Sequence, residues 1–114
     1  MMEIKPRIDY ETFSKVDMRV GIIEDVQDFP EARKPAYKLR IFFGDDIGYK
    51  NSSAQITNYS KQELVGMRII AVVNFPPKQV ANFKSEVLVL GALTNNGVRL
   101  IQADDLSQPG DRIA

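Results

Sequence analysis

A succession of short segments with apolar residues at alternate positions, each ended by turn-forming residues, constrains this chain more than any other feature. Tyr37 to Phe43 sets Tyr37, Leu39, Ile41 and Phe43 against Lys38 and Arg40, the two-residue period of a strand with one polar face. Met18 to Val26 sets Met18, Val20 and Ile22 against Arg19, Gly21 and Ile23. It is predicted to be a strand that changes face near Gly21, where a bulge or tight bend is natural. Tyr49 to Ile56 is a weaker strand with little bulk, Met67 to Val73 the clearest buried strand, and Val87 to Leu93 the next. Asn95, Asn96 and Gly97 make a hairpin turn before a last strand, Val98 to Gln102.

Helical signals are few. Asp9 or Thr12 can cap a short helix over Asp9 to Val16, with Tyr10, Phe13 and Val16 on one face. Ser60 and Glu63 make a capping pattern for a second helix that ends at Gly66. Strands and helices do not alternate, which argues against a doubly wound parallel sheet. The element order predicts an all-β chain: a five-stranded Greek-key barrel of the oligonucleotide-binding type, with the small second helix between strands three and four. An SH3-like barrel is the competing architecture. The 114 residues are read as one domain, 1–114, without internal repeat or low-complexity tract.

The chain has no Cys and no His, although 44 % of it is hydrophobic. A disulfide framework, a thiolate nucleophile, a Cys/His zinc site and an imidazole base are thereby excluded, and a metal could bind only through carboxylates and carbonyls. Asp45 with Asp46, and Asp104 with Asp105, are adjacent carboxylates beside Gly or loop residues, where turn formation is the natural account. Without a glycine-rich phosphate loop or a G-x-S-x-G sequence, the expectation is no enzymatic activity, no cofactor and no metal. No apolar stretch reaches the length of a membrane span and the N-terminus is charged from Glu3 onward. A cytoplasmic location without membrane insertion is the default expectation. With 15 basic and 15 acidic residues the formal charge is zero, so binding to a polyanion must rest on a local patch.

One such patch lies between two apolar strand segments, Val72 to Phe75 and Val87 to Leu90. Pro76 and Pro77 stiffen the connection, Lys78 and Lys84 offer charge, Gln79 and Asn82 offer amides, and Phe83 offers a flat face. These groups suit a nucleic-acid backbone and its bases. The alternative is an ordinary solvated connection, with Phe83 plugging the barrel end. Arg33 and Lys34 fall in the loop between the first two strands, which such a barrel uses to grip its ligand. They serve there either as phosphate contacts or as a solvated pair beside Glu31. For Lys38 and Arg40, alternation alone explains a charged exterior.

Phe75, Pro76, Pro77, Val80 and Phe83 make the same connection unusually apolar. Exposed, they would form a pocket for extended peptide; buried, they would be a dimer seam or core. Tyr10, Phe13 and Ile113 are further interface candidates.

The segments TFSKVDMRVG (Thr12 to Gly21), ARKPAYKLRIFFG (Ala32 to Gly44), SSAQIT (Ser52 to Thr57), AVVNFPPKQVANFKSEVLVLGA (Ala71 to Ala92) and DLSQPGDRI (Asp105 to Ile113) occur in that order. Through them the sequence resembles the tRNA-binding domain family over nearly its whole length. The resemblance implies an oligonucleotide-binding barrel that forms a homodimer and binds tRNA by shape. In one branch it implies an export-linked chaperone for unfolded preproteins, serving the export machinery. In relatives the segment after the fourth strand reads N-L-x-P-x-x-x-x-G-x-x-S-x-G-M. Asn74, Pro77 and Ser85 keep three of its features, while Glu86 and Val87 replace its Gly and Met. From the residues and the resemblance together, the candidate RNA-binding set is Arg33, Lys34, Ser53, Gln55, Asn74, Lys78, Asn82, Lys84 and Ser85, and the peptide-binding or interface set is Tyr10, Phe13, Phe75, Pro76, Val80, Phe83 and Ile113.

Overall fold

In the computed structural model, which describes residues 3–114, a long curled strand organises the sheet. This strand, β1 (Met18–Asp28), is followed by β2 (Tyr37–Phe42), β3 (Tyr49–Ala54) and β4 (Arg68–Val72). A hairpin of β5 (Lys78–Val80) and β6 (Phe83–Ser85) precedes β7 (Leu88–Val89), and β8 (Gly91–Thr94) with β9 (Gly97–Leu100) makes a second hairpin. Five strands form one antiparallel sheet in the order β3-β2-β1-β4-β7. The open edge of β3 meets the chain just before β7. Glu86 donates its N–H to the Asn51 carbonyl at 2.8 Å, and the buried Ser52 hydroxyl donates to the Val87 carbonyl at 3.1 Å. The last barrel strand thus lies between β3 and β4, which nearly closes the barrel in the predicted Greek-key order.

The interior is filled from every wall by Ile23, Leu39, Ile41, Phe43, Ile56 and Ile69. Leu64 joins them from α2 (Lys61–Leu64), the helix between β3 and β4. The predicted capping box is present: Ser60 Oγ accepts the Glu63 N–H at 3.2 Å and the Glu63 carboxylate accepts the Ser60 N–H at 2.8 Å.

The bulge in β1 is not at Gly21. The register with β2 shifts between Ile23 and Asp25, so Glu24 is the extra residue. That insertion lets both Ile23 and Val26 face the core while Glu24 and Asp25 remain exposed. Gly21 answers a different need: a Cβ there would stand 2.6 Å from Phe43 Cε1 and 2.7 Å from Ile41 Cγ2. The segment Val87 to Leu93, predicted as one strand, is two. Leu88 and Val89 pair with β4, and the chain then changes partner at Gly91, where a Cβ would collide with Val98.

At the N-terminus, α1 (Tyr10–Ser14) is shorter than predicted and buries none of its residues. Asp9 is its cap, accepting the Thr12 N–H at 2.7 Å. The C-terminal segment lies along the start of β1, where β2 no longer pairs. Gly110 donates to the Val20 carbonyl at 2.8 Å and Ile113 to that of Met18 at 2.9 Å. Among the described residues no helix is long and apolar enough to cross a membrane.

Candidate nucleic-acid interface

The segment read from sequence as a polar loop is the β5–β6 hairpin, with cross-strand partners Lys78 and Ser85, Gln79 and Lys84, and Val80 and Phe83. Its two-residue turn places Ala81 at φ 50°, in the left-handed region that favours glycine. Because side chains alternate, Lys78, Val80, Phe83 and Ser85 share one face and Lys84 projects from the other. Ser85 ties the hairpin to the barrel: its hydroxyl oxygen accepts the Ser53 N–H at 3.0 Å.

Between this hairpin and the β1–β2 loop opens a groove of about 1170 Å³. Its floor is apolar, built from Ala54, Ile56, Val87 and Val89 of the barrel with Val98 and Leu100 of β9. Its rim carries Arg33 and Lys34 on one side and Lys78 on the other. Among the described residues none of these three cations is ion-paired, whereas Glu86, also at the groove, has Lys50 at 4.0 Å. The rim therefore presents uncompensated positive charge over an apolar floor. Ser53, Gln55, Phe75, Pro76, Val80 and Ser85 complete the predicted residues that meet there.

Other predicted residues lie elsewhere. Asn74 is committed to the fold: its side-chain carbonyl accepts the Asp17 N–H at 3.0 Å and its amide donates to the Lys15 carbonyl at 2.7 Å. Both ends of that amide are engaged within the fold, so Asn74 clamps the segment before β1 to the end of β4. Asn82 sits at the hairpin tip and Lys84 on its far face, outside the groove lining. Phe83 is half-buried and packs edge-on against the buried Phe29, with ring centroids 5.6 Å apart. Tyr10 and Phe13, on α1, and Ile113, whose N–H donates to the Met18 carbonyl at the start of β1, are not among the residues that line the groove.

Two features escaped the sequence. The Lys38 ammonium sits 5.6 Å from the Phe29 ring centroid and 5.9 Å from that of Phe83, so it packs with the ring pair beneath the hairpin. Arg40 lies over Tyr49, its guanidinium carbon 3.8 Å from the ring centroid. The alternation that places Lys38 and Arg40 on the polar face of β2 was legible, but the aromatic partners arrive from β3, from β6 and from the β1–β2 loop.

Fold and groove together define a small β-barrel of the oligonucleotide-binding type with a basic-rimmed apolar groove. Residues 18–112 match the family model described as "Putative tRNA binding domain", and the chain belongs to this tRNA-binding domain family. Among solved structures it is similar to a CsaA chaperone protein from Picrophilus torridus, at 68 % identity and TM-score 0.92, covering 95 % of this chain and 100 % of that one. A chaperone CsaA from Bacillus anthracis is similar at 46 % identity and TM-score 0.89, covering 96 % and 100 %. Methionine–tRNA ligase of Thermococcus onnurineus is 31 % identical over 106 residues, which is 93 % of this chain and 14 % of the ligase. The chain thus corresponds to a small part of the ligase.

Proposed function

We propose that this chain is a cytoplasmic tRNA-binding module, acting by binding and not by catalysis, whose groove takes the phosphate backbone of a folded RNA. The observation that carries this reading is the convergence of Arg33, Lys34 and Lys78, none of them ion-paired among the described residues, on the groove of a barrel in the tRNA-binding domain family. Residues 1–114 act as one domain in this reading, and two copies associate through the exposed α1 face, where Tyr10 is 81 % exposed. A dimer doubles the basic surface, so two weak patches engage one RNA with the avidity of a linked pair. Zero net charge is then no obstacle. The test is titration of folded tRNA across a range of salt concentrations. Affinity is expected to fall steeply with salt, and to weaken in the Lys34→Ala/Lys78→Ala double variant; salt-independent binding, or none, defeats the reading.

A second reading, capture of unfolded preproteins on their way to export, is favoured by Phe75, a groove residue that is 52 % exposed beside Val80. An apolar floor accepts extended peptide without any need for phosphate, and two structural neighbours are chaperones by name. Peptide held in this way is insensitive to salt. Phe75→Ser is expected to abolish the holding of an unfolded client while leaving salt-sensitive tRNA binding in place.

A further inference from the structure

We propose that Arg40 and Tyr49, on the outer face of β2 and β3, form a ledge on which one unpaired nucleobase of the bound RNA stacks, an inference that rests on the RNA-binding reading above. Three observations carry it. The first is the posture of Arg40. Its cross-strand partner in β1 is Asp25, yet among the described residues the two form no ion pair. The guanidinium lies instead over Tyr49, its central carbon 3.8 Å from the ring centroid. Arg40 is exposed, so the side of the guanidinium turned from the ring, with its N–H donors, meets solvent. A ring, a guanidinium and then a base make a continuous stack, and arginine planes and aromatic faces are the surfaces on which proteins seat unpaired bases.

The second observation is the support under the ledge. Tyr49 stands across from Phe42, with centroids 5.0 Å apart and planes inclined by 43°. Phe42 is half-buried, which fixes the tyrosine from behind while leaving it 43 % exposed. The third is what stands beside it. Asn51 is the cross-strand partner of Arg40 and is exposed. Among the described residues its side-chain amide makes no hydrogen bond within the protein, so it offers a donor and an acceptor to a base edge. The same face continues along β2 and β3 from Arg40 and Asn51 to Lys38 and Ser53, and Ser53 belongs to the groove. A strand of RNA whose phosphates follow the basic rim therefore reaches the ledge without leaving the sheet.

Unpaired bases of a tRNA come from its single-stranded 3′ end or from its loops. Two tRNA probes separate these sources, one with 2-aminopurine in the 3′ end and one with it in the anticodon loop. Stacking quenches this fluorophore, and a chain without Trp leaves its emission unobscured. The expected result is quenching of one probe by the natural protein. Quenching should be lost in both Tyr49→Leu and Arg40→Lys, with affinity down roughly five- to fiftyfold. Because Arg40→Lys keeps the charge, its salt slope should equal that of the natural protein. Salt-sensitive tRNA binding with neither probe quenched, or with both variants behaving as the natural protein, overturns the ledge and leaves the groove reading standing. Absence of tRNA binding altogether overturns both.

Discussion

The hydroxyl oxygen of Ser85 accepts the backbone N–H of Ser53 at 3.0 Å, and through this bond the β5–β6 hairpin is fastened to the barrel at the groove's edge. Ser85→Ala leaves that N–H without its partner in a half-buried position. A cost of about 1 to 2 kcal/mol is expected, read from urea denaturation, together with faster hydrogen exchange at the Ser53 amide. If the amide exchanges as before, the hairpin is held by other contacts.

Gly21 is a point of close approach inside the barrel, because the space its Cβ would occupy is already filled by Phe43 and Ile41. Gly21→Ala is expected to overpack the core by about 1 to 3 kcal/mol. Gly48 is a useful contrast: it has open space around its Cβ position but φ +78°. Gly48→Ala therefore incurs only backbone strain, about 1 to 2 kcal/mol. Thermal denaturation of both variants distinguishes crowding from strain, since a second substitution, Phe43→Leu, removes the Cε1 atom nearest that Cβ and should relieve part of the first penalty and none of the other.

The acidic limit of stability follows from three carboxylates held below their usual range. Hydrogen bonding to Thr12 lowers Asp9, hydrogen bonding to Ser60 lowers Glu63, and hydrogen bonding to Arg19 lowers Asp17. A carboxyl with a lower pKa folded than unfolded stabilises the fold fully above its unfolded value, about 4. That stabilisation is lost as pH falls through the lower, folded values. The midpoint of thermal unfolding should be level near neutrality and decline below about pH 4. Glu63→Gln should decline less steeply over that window, and an unchanged acid limb would show that the cap of α2 carries none of it.

The barrel was legible because strand alternation and the Ser60 cap are local signals, fixed by residues a few positions apart. Gly21 was recognised as special, but for the wrong reason. A glycine that accommodates Phe43 across the barrel looks the same in sequence as one that permits a bulge, and Glu24 carries no mark of its role as the extra residue. The groove was half legible. Arg33, Lys34 and Lys78 could be placed on loops and a rim by the fold, whereas the internal use of Asn74 depends on backbone groups of Lys15 and Asp17 far away along the chain. Arg40 and Tyr49 stand on different strands, and only the β2–β3 register brings them together.

Lys78 and Lys84 looked equivalent as charges flanking one connection, and the hairpin makes them different. Lys78 shares a face with Ser85 and lines the groove, whereas Lys84 stands outside the lining although its cross-strand partner Gln79 is part of it. If the groove holds the RNA backbone, Lys78→Ala removes one phosphate contact, and the log–log slope of affinity against salt should fall by about 0.7 to 0.9. Lys84→Ala should change the slope by much less, because a lysine turned from the groove contributes through long-range attraction that salt already screens. Both lysines are exposed and neither is ion-paired among the described residues, so neither substitution should alter stability by more than about 0.5 kcal/mol. Equal slopes for the two variants would mean that the RNA wraps the hairpin on both faces, and a larger effect of Lys84→Ala would move the binding surface off the groove.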